Sequence, residues 1–443
     1  MTRWWQWLWH ATVASSAAGD RNTSGSAPRS RRSRTTVASY GTAIPTEHAS
    51  APRTAGAAVG ELGRGFRSVE TLLWSFLLQQ PMFARFQAPA VYRQGDDALA
   101  TADREFAAFD ASDALLIGGE TALSVAEEPL SNAIRAAGLA HRGTVRGVDR
   151  CSRETVSDCV GRGAPGGETL VVGVGGGHAL DAATITAIEL DAPLVTVPTV
   201  ASTDAPCSSI AALYDHETGA YEGIVQRDRN PDLVVVDTEV LAAAPPRFLR
   251  YGMADALATV FEARAVARTP AAETVAGGRP SDAALAVAER CYDNVRAHGV
   301  DAVAAAERDA VTPAFGTIVE TNTLLSGVGF ENGGLAAAHA YQEGFTRAGV
   351  DAPHGVAVAV GLLAQLVLEG RDDALADLLG VYVDLGIDAD IEEVDLDGDR
   401  AAEVAAHACE SDTPMHNEPV TVTEPRARDA LVVAERRARD VRS

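Results

Sequence analysis

Residues 171–181, Val-Val-Gly-Val-Gly-Gly-Gly-His-Ala-Leu-Asp, join an apolar run to helix-forming sequence through three consecutive glycines. The run Thr169–Val174 is too short for a helix and rich in Val, which predicts a strand covered on both faces. Helical sequence resumes at once, from His178 to Glu189. Gly175, Gly176 and Gly177 put no Cβ in the way of approaching backbone amides, and a helix N-terminus adds unpaired N–H donors and a partial positive charge. The junction therefore predicts a phosphate cradle whose ligand is a dinucleotide. Its spacing is not G-x-G-x-x-G, and a tight turn without a ligand is the alternative.

Charge narrows the partners. The formal net charge is −24, with 61 acidic residues against 37 basic ones, every one of them arginine. Such a surface argues against nucleic acid and suits a protein kept soluble in a high-salt cytoplasm, where ions screen its self-repulsion. The five cysteines are an odd set without C-x-x-C spacing, so neither a disulfide framework nor a thiolate zinc site is expected. No apolar run approaches the ~20 residues needed to span a bilayer.

Residues 1–81 differ from the rest: they hold nine Arg against four acidic residues, and all five Trp. Their Ser/Thr/Ala/Gly/Arg-rich middle has no periodicity, which predicts a disordered or mis-annotated leader, with Met82 as the true start. From there the chain reads as alternating elements: extended sequence at 86–95, a helix at 96–109, a strand at 114–117 and a helix at 121–137. A strand at 143–148 and a helix at 152–161 capped by Ser152 follow, then the 169–189 strand and helix and a strand at 194–197. A hairpin at 211–225 and a buried strand at 232–236 complete this part. The alternation predicts βαβ units and a parallel, Rossmann-like sheet, an α/β dinucleotide-binding domain over 82–240. Beyond Thr238 the pattern is helical, predicting an all-α domain over 241–443.

In the helical half, Asp255, His339 and His354 each stand among small apolar residues. A carboxylate or imidazole there is costly to bury unless satisfied, and one divalent metal would satisfy all three. The alternative is that each finds its own local hydrogen bond. Sequence spacing does not choose between them, because only the fold can join residues so far apart.

Several blocks, taken together, are similar to the iron- or zinc-dependent alcohol dehydrogenase superfamily, most closely to its glycerol dehydrogenases. They are Gly-Gly-Gly-His-Ala-Leu-Asp at 175–181, Val-Pro-Thr-Val-Ala-Ser-Thr-Asp-Ala-Pro at 197–206, and Asn-Pro-Asp-Leu-Val-Val-Val-Asp-Thr-Glu-Val at 230–240. Further along come Gly-Met-Ala-Asp-Ala-Leu-Ala-Thr at 252–259, Glu-Asn-Gly-Gly-Leu-Ala-Ala-Ala-His-Ala at 331–340, His354-Gly355 and Met-His-Asn-Glu-Pro at 415–419. The resemblance implies a dehydroquinate synthase-like fold in which Asp255, His339 and His354 hold zinc, or iron in its place. It implies that Gly177, His178, Asp181, Thr199, Ser202, Ser208, Ile210 and Tyr214 line an NAD site, and that Asp204 faces the substrate. The implied reaction is reversible oxidation of glycerol to dihydroxyacetone by a cytoplasmic homo-oligomer, commonly an octamer.

Two departures stand out. His178 replaces the family's common Lys, and Gly118-Gly119-Glu120 replaces a Gly-Asp-Glu-like stretch whose carboxylate would hold the adenosine ribose and repel a 2′-phosphate. The alternatives on the same fold are a glycerol 1-phosphate or other polyol dehydrogenase and, in another reaction class, a dehydroquinate synthase-like lyase. The loops at 199–209 and 339–354 offer little cationic character for a substrate phosphate. His416 and Cys207 are expected to be structural.

Overall fold

The computed structural model describes residues 83–389, 391 and 399–442, all within the compact unit Arg67–Ser443. The second unit, Met1–Phe66, and with it the expectation of a leader over 1–81, lies outside the described residues.

The strands are β1 (Tyr92–Gly95), β2 (Asp113–Gly118), β3 (Ala140–Val145), β4 (Thr169–Gly175), β5 (Leu194–Pro198), β6 (Ile210–Tyr214), β7 (Tyr221–Gln226) and β8 (Leu233–Asp237). Six form one sheet in the order β1-β8-β5-β4-β2-β3, every pair parallel, while β6 and β7 make an antiparallel hairpin. The Val-rich β4 is buried along its whole length, as a strand covered on both faces requires.

Helices α1 (Glu120–Ala136), α2 (Arg153–Arg162) and α3 (Gly177–Glu189) connect these strands. Leu123, Leu130 and Ile134 of α1 pack with Leu116, Leu170 and Val172 on one face. Val156 and Cys159 of α2 and Ala182 and Ile185 of α3 pack with Leu115, Ile117 and Val171 on the other. The covering helix changes face between β2 and β4, so a crevice opens at the carboxyl ends of those two strands.

After β8 come one helical turn at Thr238–Ala242 and α4 (Pro246–Arg268), α5 (Asp282–Ala306), α6 (Pro313–Glu320), α7 (Ser326–Gly333), α8 (Ala337–Arg347), α9 (His354–Leu368), α10 (Asp372–Leu385), α11 (Asp399–Ala408) and α12 (Glu424–Arg442). No helix among the described residues is long and apolar enough to cross a membrane.

Ser152 caps α2 and the hairpin lies where its turn predicts it. Two expectations need correction. The helix expected at 96–109 is a single turn, Asp103–Phe106, because Asp97 sits at φ 53° and the Leu99 N–H is drawn to the Asp237 carboxylate, 3.2 Å away. The strand expected at 143–148 is Ala140–Val145: its register with β2 shifts at Ala114/Leu115, and Val148 N donates to the Gly118 carbonyl instead of extending the ladder.

Small residues set how closely the helices approach. A Cβ on Gly252 would stand 2.2 Å from the Ala201 carbonyl oxygen, and one on Gly355 2.2 Å from that of Tyr251. These two glycines let the start of α4 meet the 199–204 loop on one side and α9 on the other. Gly355→Ala forces α9 away from α4 and is expected to lower stability by roughly 1–3 kcal/mol. A thermal unfolding midpoint equal to that of the parent protein would sink this account.

Candidate active site

The three residues singled out in the helical half converge. Asp255 lies on α4, His339 in the first turn of α8, and His354 opens α9. Their donor atoms all lie within 4.8 Å of one another. The Asp255 Oδ1 atom is 3.4 Å from His339 Nε2 and 3.5 Å from His354 Nε2. Asp255 is 1% exposed, and neither of its carboxylate oxygens has a hydrogen-bond partner. A buried carboxylate left in that state is costly unless a cation completes it.

The electrostatics agree with a cation site. Burial raises the Asp255 pKa, but the neighbouring imidazoles of His354 and His339 outweigh it and bring the group below its ordinary range. Burial disfavours charge on His339, yet Glu262 and Asp255 prevail and hold its pKa well above the ordinary value. The pocket favours positive charge where these donors meet.

Glu262, which the sequence reading missed, fixes His339. Its Oε2 accepts from His339 Nδ1 at 2.6 Å, while its Oε1 accepts from the backbone N–H groups of Ala336 at 2.8 Å and His339 at 3.0 Å. The bond at Nδ1 leaves Nε2 for a metal, the arrangement that fixes tautomer and ring orientation. No side chain of its own caps α8; Glu418 accepts from Ala337 N at 3.0 Å and Gln365 from Ala338 N at 3.1 Å. Three distant side chains thus satisfy the donors that a helix start leaves orphaned. Glu262 had one signal in the sequence: it follows Asp255 by seven residues, two turns along the same helical face.

Asp204 stands nearby, at the start of a 3₁₀ turn, Ala205–Cys207. Burial first, and then the charge of Asp255, raise its pKa well above the carboxylate range, while His339 opposes the rise. Asn322 anchors this loop, its Nδ2 donating to the carbonyls of Ala201 and Leu249 at 3.0 Å each. A second network missed from sequence lies behind it, where the buried Glu331 accepts from Gln87, Ser209 and Asn230.

At the cradle the glycines divide their work. Gly175 ends β4 at φ 143°, where an added Cβ would press on Ala179 at 3.1 Å. Gly176 is the N-cap of α3 and Gly177 its first residue, and a Cβ on either would meet nothing nearer than 3.5 Å and 4.0 Å. No side chain caps α3; Ala179 N donates to the Gly176 carbonyl at 3.1 Å, and a helix start without a side-chain cap is the arrangement that receives an anion.

The other expected cofactor residues fall into two sets. Thr199, whose N–H donates to the Gly175 carbonyl at 3.2 Å, lies beside the cradle. His178 is exposed on its outer face and meets Tyr214 edge to face, with centroids 4.9 Å apart. Packing against it, and next the Arg150 charge, lower its pKa, so the ring is neutral near pH 7 and gives no lysine-like charge. Ser202 is half-buried in the anchored loop. The second set is tied to the hairpin. Ser208 accepts from Ile210 N at 3.0 Å within its own turn, and Ile210 begins β6. Asp181 faces the Ala212 backbone, and burial pushes its pKa up to about 8.

Tyr214 also packs on Tyr221, 5.8 Å between centroids, and Arg347 of α8 lies 5.7 Å over the Tyr221 ring. Glu343, Glu410 and Asp412 hold that guanidinium. A ladder of rings and one arginine thus connects the cradle to the helix carrying His339. His416 donates from Nδ1 to the Thr413 carbonyl at 2.6 Å, and Cys207 is wholly buried.

Known proteins share this architecture and much of the sequence. Residues 89–238 match the iron-containing alcohol dehydrogenase family. The chain is 40% identical to the glycolaldehyde reductase of Halobacterium salinarum over 368 residues, 82% of this chain and 100% of that protein. It is 39% identical to a glycerol dehydrogenase of Pseudomonas putida over 355 residues, 79% of this chain and 96% of that one. Among solved structures, a probable glycerol dehydrogenase of Sinorhizobium meliloti superposes with a TM-score of 0.74 at 34% identity, covering 81% of this chain and 99% of its own. The Schizosaccharomyces pombe glycerol dehydrogenase gives 0.75 at 28%, covering 81% and 92%. The chain belongs to the iron-containing alcohol dehydrogenase family.

Replacing Glu262 by Gln keeps the side chain's size but leaves one acceptor oxygen where the carboxylate offers two, so the His339 ring and the two backbone N–H groups can no longer all be satisfied. Metal affinity is expected to fall roughly 10–100-fold with the circular dichroism spectrum intact. Chelator competition measures it, and unchanged affinity would remove Glu262 from the account.

Proposed function

We infer that the chain is a glycerol dehydrogenase, a metal-dependent, NAD-linked enzyme interconverting glycerol and dihydroxyacetone. The observation that carries this reading is the buried Asp255 carboxylate, without a hydrogen bond and gathered with two imidazoles at one point. When bound, the divalent metal, zinc or iron, supplies Lewis acidity at the substrate oxygen, and NAD supplies the hydride acceptor.

The chain's own residues do the rest. Asp255, His339 and His354 hold the metal, and Glu262 keeps the His339 ring turned toward it. Gly176, Gly177 and the first N–H groups of α3 receive the pyrophosphate, with Thr199 and Ser202 along the loop beside it. His178, Asp181, Ser208, Ile210 and Tyr214 form the wall on the hairpin side. Asp204, half-buried beside Asp255, is the side chain that meets a substrate hydroxyl. A neutral polyol suits this pocket better than a phosphate ester: Asp204, Asp255 and Glu262 cluster there, and three carboxylates already hold Arg347.

A second reading follows from the full-length similarity to a glycolaldehyde reductase. It uses the same metal, cofactor and neutral substrate class, in the direction of aldehyde reduction. The wider reading divides the chain near residue 240 and places a homo-oligomer in the cytoplasm of a salt-adapted cell. Its support is family resemblance for the assembly and the acidic surface for the habitat.

The test offers purified protein glycerol with NAD and, separately, glycolaldehyde with NADH, before and after chelation. Glycerol oxidation lost on chelation and restored by zinc is the expected result, with Asp255→Asn inactive throughout. Activity with glycolaldehyde alone would move the assignment to the second reading, and activity indifferent to chelation would overturn both.

A further inference from the structure

We propose that the crevice between β2 and β4 accepts a 2′-phosphorylated dinucleotide, so that the protein binds NADPH within about tenfold of NADH. The inference rests on the dinucleotide reading of the cradle and goes beyond it to the choice of nucleotide. In a doubly wound sheet, the strand next to the phosphate turn ends at the adenosine ribose, and a carboxylate there takes the ribose hydroxyls and repels a 2′-phosphate. Here that strand is β2, whose Gly118 pairs with Val174 beside the turn. The next residue, Gly119, has its N–H nitrogen 4.0 Å from where a Cβ on Gly175 would stand. The position that decides the nucleotide therefore carries no side chain.

The space it leaves is open. A Cβ on Gly119 would meet only the Val148 carbonyl oxygen, at 3.6 Å. That oxygen belongs to the loop after β3, which Val148 N ties to the Gly118 carbonyl at 3.2 Å. The same loop carries Arg146. Its guanidinium bonds Glu127 through Nη2 and reaches Glu120 through Nη1 at 3.3 Å. Glu127 is the more enclosed partner and anchors the group, whereas Glu120 is 71% exposed. A pair so exposed contributes little and yields to a better anion. A phosphate dianion is one, since a guanidinium binds it through two parallel hydrogen bonds.

The other charges on the loop are Asp149 and Arg150. Arg150 donates to the His216 carbonyl at 3.1 Å, and it reaches far enough toward the cradle to depress the His178 pKa, with Asp149 opposing. Glu120, released from Arg146, can accept from the ribose hydroxyls of an unphosphorylated nucleotide. The site is thus built to take either form, through Arg146 for one and Glu120 for the other.

The experiment titrates the full-length protein with NADH and with NADPH, following the fluorescence of the reduced nicotinamide, with no alcohol present. Dissociation constants within about tenfold of each other support the proposal, and NADH binding more than tenfold tighter overturns it. Gly119→Asp is expected to weaken NADPH at least tenfold and leave NADH unchanged or tighter, because it restores the repelling carboxylate. That variant folds, since Gly119 is the N-cap of α1 with extended backbone, a position where Asp is favoured. Arg146→Met is expected to weaken NADPH selectively, and equal loss for both nucleotides would remove Arg146 from the account. Failure of both nucleotides to bind the parent protein would instead overturn the dinucleotide reading itself.

Discussion

The Glu262 carboxyl is fully enclosed and accepts three hydrogen bonds, one from the His339 ring and two from the backbone at the start of α8. Hydrogen bonds to a charged acceptor are worth about 1.5–3 kcal/mol each, and leaving such a group unsatisfied costs more. Both demands have one solution, in which α8 begins where it does and His339 faces Asp255. The position of His339, the proposed metal ligand, is therefore set by the same bonds that begin a helix. The geometry of the donor cluster and the stability of the fold are not separable at this point in the molecule.

The sheet and the helices are tied together by contacts that each serve a site. Asn322 holds the loop bearing Asp204 to the start of α4. Gly252 removes the side chain that would keep those backbones apart. The ladder from His178 through Tyr214 and Tyr221 to Arg347 fastens the cradle's hairpin to α8. Aromatic contacts of this kind are short-ranged and directional, so they fix a spacing as well as adding attraction. The distance between a hydride acceptor and its substrate depends on such spacings.

Much of this could be read from the chain, because strands and helices leave periodic marks. The buried β4 and the glycine turn after it, the Ser152 cap and the hairpin all follow from local chemistry. So did the suspicion attached to Asp255, His339 and His354, each a polar residue in apolar surroundings. Their meeting could not be derived from spacing, since it depends on how α4, α8 and α9 pack; family resemblance supplied it. Glu262, Gln365 and Glu418 went unnoticed because a helix cap taken from a distant element has no sequence signature. The helix expected at 96–109 failed for a related reason: Asp237, on a strand far along the chain, draws the Leu99 N–H into a turn.

The capping of α8 also bears on how the protein comes to be folded. Asp255 and Glu262 precede His339 in the chain, Gln365 follows it, and Glu418 arrives later still. Contacts so distant in sequence form only after the intervening chain has been closed into a loop, which makes them slow relative to local helix formation. During synthesis Asp255, His339 and His354 all emerge before the carboxyl that satisfies Ala337. The donor cluster is thus an outcome of folding rather than its starting point. A chain ending before Glu418 would retain Asp255, His339 and His354 and lack part of the scaffold that aims the His339 ring.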